Sequence, residues 1–405
     1  MASITLNLLC QLSLMQNNQM KCLTIILLVL FMSVHAETLA QQPVVSSVKW
    51  KIAAQLPPTN GETVSIGLAG PLTGVTNDVL IVAGGANFPD GLPWNGGKKK
   101  YHNDIFVLQL KRNGKFHWLN SSSQKLPFTT AYGANVSTKH GIVYLGGENE
   151  MGISNSAFLL QWNNQQQKIE INKLPNLPIP LTNASATVYE NVIYIAGGET
   201  INAVSDNFFS LNLNDTANGW KQLPSLPYAV SNAVLAVQSN GKQQNIYLLG
   251  GRKKNTNAVS DFYNSVFSFN LSTGKWQEEK PIPSPKAAGT GIAFGKNNII
   301  LFGGDEGETF NKTESLIMAI ANEKDELKKK ELIEQKNKLQ MAHPGFKPEV
   351  LLYNTVTNNW NKLTNIPFPS AATTTALLWG KCIFIPSGEI KAGVRTPQIL
   401  LGTIK

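Results

Sequence analysis

Cysteine is nearly absent from this 405-residue chain: Cys10, Cys22 and Cys382 are all there is. Two of them lie in the N-terminal segment, so a chain trimmed of that segment keeps one and forms no internal disulfide; its stability has to come from packing. Cys382 sits in the apolar stretch Lys-Cys-Ile-Phe-Ile and reads as a small buried strand residue rather than a reactive thiol. Charge is sparse too, at 15% Asp, Glu, Lys and Arg, with a formal net charge of +9. The basic residues are scattered, and the one tight cluster is Lys98-Lys99-Lys100. No basic stripe interleaved with aromatics is present, which argues against nucleic acid as a partner. The five histidines (His35, His102, His117, His140 and His343) are spread out, so no metal cluster is expected. No apolar run reaches the ~20 residues that span a bilayer.

What the N-terminus does have is a targeting pattern. Lys21 is the only charge before Glu37; it precedes the apolar run Leu23 to Met32 and then Val34-His35-Ala36. A positive start, a short apolar core and small residues predict a signal peptide over residues 1–36, cleaved after Ala36, with Met20 as a candidate true start. A periplasmic location is expected, with no membrane insertion after cleavage. The mature region 37–405 is long enough for two ordinary domains, unless it is a repeat architecture.

Internal repeats decide this. Glycine pairs follow short apolar runs at Gly84-Gly85, Gly146-Gly147, Gly197-Gly198, Gly250-Gly251 and Gly303-Gly304, with a degenerate Ser387-Gly388. Out of phase with them, Trp50, Trp118, Trp162, Trp220, Trp276 and Trp360 each precede a Leu-Pro or Ile-Pro. Runs such as Val-Leu-Ile-Val-Ala before a glycine pair suit a strand buried on both faces. The alternating stretches Phe209-Ser-Leu-Asn-Leu and Val266-Phe-Ser-Phe-Asn read as third strands, and the tryptophans as marks of an outer fourth strand. The expectation is an all-β, six-bladed propeller of the kelch type. The chain starts with a tryptophan strand, Val48 to Ala53, and ends with three strands, roughly Thr374 to Trp379, Lys381 to Ile385 and Gln398 to Thr403. Together these predict one blade shared by the two ends, which closes the ring.

Two segments depart from the repeat. Residues 87–102 form a Gly/Asn/Lys-rich loop. Residues 305–348 form an insertion in the fifth blade with helical character between Thr313 and Met341, where Leu316, Ile317, Ile320, Leu327 and Ile333 are compatible with one helical face. His343-Pro344-Gly345 stops the helix. An insertion placed directly after a glycine pair is a candidate lid.

The residues just after the pairs are Ala86, Glu148, Glu199, Arg252, Asp305 and Glu389. Equivalent positions of a propeller converge on its channel, so these predict a ring of ionisable groups at one mouth, suited to a polar ligand and to acid–base work. The last blade adds Lys391 and Arg395 to Glu389. An arginine beside a carboxylate favours its ionised form, and an arginine fork suits a substrate carboxylate.

The stretch Gly388-Glu389-Ile-Lys391-Ala-Gly393-Val-Arg395 resembles the Gly-Glu-x-Lys-x-Gly-x-Arg motif of the kelch-type sialic acid mutarotases, or N-acetylneuraminate epimerases, here in a cyclically permuted order. Pro127-Phe-Thr-Thr-Ala-Tyr-Gly, Tyr144-Leu-Gly-Gly-Glu-Asn and the fifth-blade insertion are similar to segments of the same family. The resemblance implies an isomerase that interconverts the α and β anomers of N-acetylneuraminate. Glu389 would be its acid–base group, Arg395 would hold the sugar acid's carboxylate, Glu148, Arg252, Asp305 and Lys391 would bind substrate, and no cofactor would be required. A homodimer is an open option. The alternative reading is a non-catalytic kelch propeller that binds a glycan or a protein. A sialidase would show Ser-x-Asp-x-Gly-x-x-Trp turns, and none is present; a copper oxidase would need better-placed histidines.

Overall fold

The computed structural model describes residues 45–59, 61–119 and 124–405. The predicted signal peptide lies outside the described residues. Six four-stranded antiparallel sheets account for the unit Ser46–Lys405. From inner to outer strand, blade I is Leu72–Thr76, Val79–Ala83, Ile105–Leu110 and Phe116–Trp118. Blades II to V follow the same order along the chain. Blade VI takes Leu377–Trp379, Cys382–Pro386 and Gln398–Ile404 from the C-terminus and Val48–Gln55 from the N-terminus. The register Val48↔Ile404 to Gln55↔Gln398 is continuous apart from an irregularity between Ile52 and Ala54. The shared blade anticipated from the two ends of the chain is therefore present.

Alternation along the second strands builds the core. Val79, Ile81 and Ala83 pack with Ile142, Tyr144 and Phe158 of blade II. Leu80 and Val82, on the opposite face of the same strand, pack with Phe384, Ile399 and Leu401 of blade VI. Side chains point to opposite faces with a period of two, so a strand between two neighbouring blades must be apolar at every position. This is why the sequence shows unbroken runs there.

The tryptophans latch neighbouring blades. Trp118, Trp220, Trp276 and Trp360 each donate their indole N–H to a backbone carbonyl of the preceding blade's margin: Gln55, Pro175, Pro224 and Lys280. Trp162 departs from the expected outer-strand position. It lies on the third strand of blade II, opposite Ile169, and is buried. Its N–H goes to its neighbour Asn164, because blade II fills the outer-strand site with Ile169 instead. Cys382 is half-buried at the edge of the core between blades VI and I, more open than its flanking sequence suggested.

The glycine pairs hold left-handed backbone. At Gly146 (φ 68°) a Cβ would come 2.2 Å from the Leu181 carbonyl oxygen. Ser387 takes the equivalent conformation (φ 58°) in blade VI. Its hydroxyl accepts from the Leu68 N–H and donates to the Thr396 carbonyl, holding the unusual backbone where the pair has lost its first glycine.

The insertion leaves blade V after Phe302 and returns at Val350 as two helices rather than one: α1 (Glu308–Asn322) and α2 (Glu326–Met341). Glu323 accepts from the N–H groups of Lys324 and Asp325, and Asp325 caps α2 by accepting from Leu327 and Lys328. That turn breaks the expected continuous face, and Ile317, Leu327 and Ile333 are exposed. Among the described residues no helix is long and apolar enough to cross a membrane.

Candidate active site

The channel mouth is organised by backbone before any side chain is considered. Gly70, Tyr132, Asn183, Asn232, Ala288 and Thr373 enter the first strands of blades I to VI, and all six have φ between 50° and 60°. The N–H of each donates to the carbonyl of its counterpart in the preceding blade. The links run Tyr132 to Gly70, Asn183 to Tyr132, Asn232 to Asn183, Ala288 to Asn232, Thr373 to Ala288 and Gly70 to Thr373, at 2.7–2.9 Å. This circuit of six bonds closes the propeller at its axis. A β-branched residue such as Thr373 in this conformation is strained, and the circuit holds it there.

Immediately before each of these residues, a single antiparallel bridge ties the blade entry to the residue after the glycine pair. The pairs are Ala69↔Ala86, Ala131↔Glu148, Thr182↔Glu199, Ser231↔Arg252, Ala287↔Asp305 and Ala372↔Glu389. The ring inferred from sequence is thus a true sixfold set of equivalent positions. It surrounds a cavity of about 750 Å³ above the backbone circuit. Glu148, Arg252, Asp305, Glu389 and Arg395 all line it. Glu199 stands behind Arg252 and pairs with it at 3.0 Å. Lys391 is not a wall residue. The hairpin register shifts between Glu389 and Lys391, which breaks the alternation that would have aligned the two side chains.

Each charged group of the cavity has a particular setting. Glu148 accepts from Tyr101 Oη at 2.7 Å and from Lys99 Nζ at 3.1 Å. Lys99 also stands over the Tyr132 ring. Burial pushes the Tyr101 hydroxyl well above its usual pKa, and its bond to Glu148 adds to this. Tyr132 is pushed up to about 12 by burial, against the pull of Arg395. Arg252 donates to Glu199 and Ser260 and lies on the Phe310 ring of α1. Glu314, also on α1, accepts from both the N–H and the hydroxyl of Ser260, which fixes the insertion against blade IV. Phe310, Thr313, Ile317 and Met318 of α1 make one wall. The insertion therefore supplies one wall of the cavity.

Arg395 is the least satisfied group. Its side chain is 5% exposed, stacks on Phe88 at 4.6 Å, and has Glu389 Oε1 3.6 Å from Nη1. That separation is an ion pair but a poor hydrogen bond. Nε and Nη1 are buried without a hydrogen-bond partner among the described residues. Glu389 Oε1 instead accepts from the Gly393 N–H at 2.7 Å, which folds the carboxylate back over its own hairpin. Glu389 balances the charge, and the unused donors leave Arg395 free to take a further acceptor such as a carboxylate. No group of three or more His, Cys, Asp or Glu side chains among the described residues is arranged to hold a metal.

Sequence reasoning missed Tyr132, Tyr101, Phe88, Phe310 and His343 as wall or site residues. Tyr132 belongs to the six left-handed positions, which carry no shared residue type. His343 carries no signal in the sequence beyond its place in the helix-stopping His343-Pro344-Gly345.

Comparison with known proteins follows the same lines. A family model described as N-acetylneuraminate epimerase matches residues 33–169 and 174–405. Curated N-acetylneuraminate epimerases are similar at low identity: 26% over 225 residues in Haemophilus influenzae (strain 86-028NP), covering 55% of this chain and 57% of that protein. The protein of Pasteurella multocida (strain Pm70) is 26% identical over 57% of this chain and 58% of its own. That of Brucella melitensis biotype 1 is 27% identical over 57% of this chain and 59% of its own. The matches thus span somewhat more than half of these relatives' length.

Proposed function

The chain belongs to the N-acetylneuraminate epimerase family, and from that premise we propose that it is an isomerase that interconverts the α and β anomers of N-acetylneuraminate in the cavity above the backbone circuit. The observation that carries this reading is Arg395, a buried and under-bonded cation beside a carboxylate, on the wall of a cavity of about 750 Å³. Ligand sites of ordinary size run from about 300 to 1,000 Å³. Arg395 pairs with the sugar's carboxylate and so fixes the adjacent anomeric carbon. Glu389 takes the proton of the anomeric hydroxyl, the bond from the anomeric carbon to the ring oxygen breaks, and the same proton passes to the ring oxygen. Rotation in the open-chain ketone and reclosure on the other face give the second anomer. Glu148, Arg252 and Asp305 offer acceptors and donors to hydroxyl and amide groups. The polar-and-aromatic lining, with Phe88, Trp94, Phe262 and Phe310, suits a sugar that carries an N-acyl group.

The direct test releases the α anomer from a sialoside with a sialidase and follows its conversion by proton NMR. Exchange faster than in buffer supports the reading. Saturable binding of the sugar with exchange at the buffer rate would instead make this a propeller that binds a glycan without turning it over. Export to the periplasm belongs to the same proposal, motivated by Lys21 and the run Leu23 to Met32. N-terminal sequencing of protein recovered from the periplasm should begin at Glu37, and recovery of an uncleaved chain from the cytoplasm would contradict it.

A further inference from the structure

His343 reaches the cavity from the insertion, not from a blade. Just past the end of α2, its Nδ1 accepts from the Gly345 N–H at 3.0 Å. A ring nitrogen that accepts a hydrogen bond carries no proton, so the neutral imidazole has its proton on Nε2. The Phe346 ring holds the imidazole edge-to-face at 5.3 Å. No hydrogen-bond partner of Nε2 occurs among the described residues. The charged groups that face the ring are the carboxylates of Asp305 and Glu389 and the ammonium of Lys391. Burial lowers the pKa below the usual 6.5 although both carboxylates oppose it, so the ring is neutral at pH 7. The result is a fixed, neutral N–H donor on the cavity wall, within the electrostatic reach of Glu389.

We propose that His343 is a further catalytic residue, giving its Nε2–H as a hydrogen bond to the sugar's ring oxygen as the bond to the anomeric carbon breaks. This role rests on the anomer-exchange reading above. The anomeric O–H electron pair becomes the new carbonyl bond, and the pair of the breaking C–O bond goes to the ring oxygen. The Nε2–H of His343 stabilises the negative charge that grows on that oxygen. The proton taken up by Glu389 then neutralises that oxygen, so proton and electrons balance without a co-reactant. His343 keeps its own proton throughout, because a neutral imidazole is too weak an acid to release it. A donor aimed at developing negative charge is worth more in the transition state than in the ground state.

The experiment compares the native protein with His343→Ala and His343→Gln. Three quantities are measured: exchange rate, affinity for the methyl α-glycoside of N-acetylneuraminate (which cannot open), and imidazole ¹⁵N shifts at pH 7. The expected loss in His343→Ala is about 100-fold in exchange at saturation, the scale for removing one such donor. Glycoside affinity should stay within about threefold, and His343→Gln, whose amide can donate, should regain at least about a tenth of the native rate. The ¹⁵N resonances lost in His343→Gln should be those of an Nε2–H tautomer. Exchange in His343→Ala within about threefold of native overturns the role, as does a glutamine variant no better than alanine. A proton on Nδ1 overturns it independently of activity. A native protein that binds the glycoside without speeding exchange refutes the isomerase reading and this role together, whereas native exchange with an unaffected alanine variant refutes the role alone.

Discussion

Replacing Lys286 by Met should destabilise the propeller by about 2 kcal/mol, and the structure gives the magnitude. Lys286 is 6% exposed and bridges Glu306 at 2.9 Å and Glu349 at 3.1 Å, one at each stalk of the insertion. Lys347 and Ser284 also donate to Glu306, and Lys362 to Glu349. Burial alone would raise the Glu306 pKa, but the bonds from Lys286, Ser284 and Lys347 prevail and hold it at about 2, well below the usual carboxylate value of 4.5. A carboxylate held that far down gains about 3 kcal/mol at neutral pH before solvent screening; screening and the remaining bonds from Ser284 and Lys347 leave about 2 kcal/mol to be lost with Lys286. The unit Ser46–Lys405 has 360 residues, and an unfolding entropy of about 2.1 cal/mol/K per residue converts the loss to about 3 °C in Tm. Because the folded pKa is the lower one, this stabilisation is complete above about pH 4.5 and disappears as pH falls towards 2. Calorimetry of native and Lys286→Met protein at pH 7 should show the gap, and the gap should narrow on acidification below pH 4.5. Equal stability at pH 7, or a gap that persists unchanged at pH 2.5, would refute the reasoning.

Three further outcomes follow from the site. Arg395→Met should weaken binding of N-acetylneuraminate by about 10–100-fold, the scale of a lost charged hydrogen bond. The sugar's carboxamide should bind native protein about as weakly as the acid binds the variant; equal affinity of native protein for acid and amide would remove the carboxylate from Arg395. Glu314→Ala removes both bonds to Ser260, so hydrogen exchange should rise in α1 and in residues 252–262 while the blades stay protected; unchanged exchange in α1 would mean that its aromatic contacts alone dock it. Because burial lowers the His343 pKa below its usual 6.5, the exchange rate should stay level between pH 8 and 7 and fall as acidification protonates the ring, and a decline that begins above pH 7 would contradict a neutral His343.

How much of this was legible in the sequence depends on which physical constraint acted at each position. Val79–Ala83 announced itself because a strand with blades on both faces must be apolar at every position. Gly146-Gly147 was equally visible, because its backbone excludes a Cβ. The closure by Val48–Gln55 could be read from the order of landmarks alone. Trp162 misled because a tryptophan can pack from either the third or the outer strand, and only register tells them apart. The ring from Glu148 to Glu389 was found by equivalence, and five of the six site residues proposed do meet in the cavity; Lys391 does not, because an irregularity in a short hairpin leaves no mark in composition. Tyr132 was hidden because the six left-handed entry positions are held by a backbone circuit that accepts Gly, Tyr, Asn, Ala and Thr alike. The break between α1 and α2 rests on the side-chain caps of Glu323 and Asp325, within a run whose composition favours helix throughout.

The central claim is that Glu389 moves the proton in a cavity organised by Arg395. Glu389→Gln keeps the size of the side chain and its capacity to accept from the Gly393 N–H while removing the base. Anomer exchange by NMR, measured beside affinity for the non-opening methyl α-glycoside, tests this most directly. The account predicts a fall in exchange of about 10²–10⁴-fold, the usual contribution of a positioned base, with the glycoside still bound. Native exchange in Glu389→Gln would contradict it.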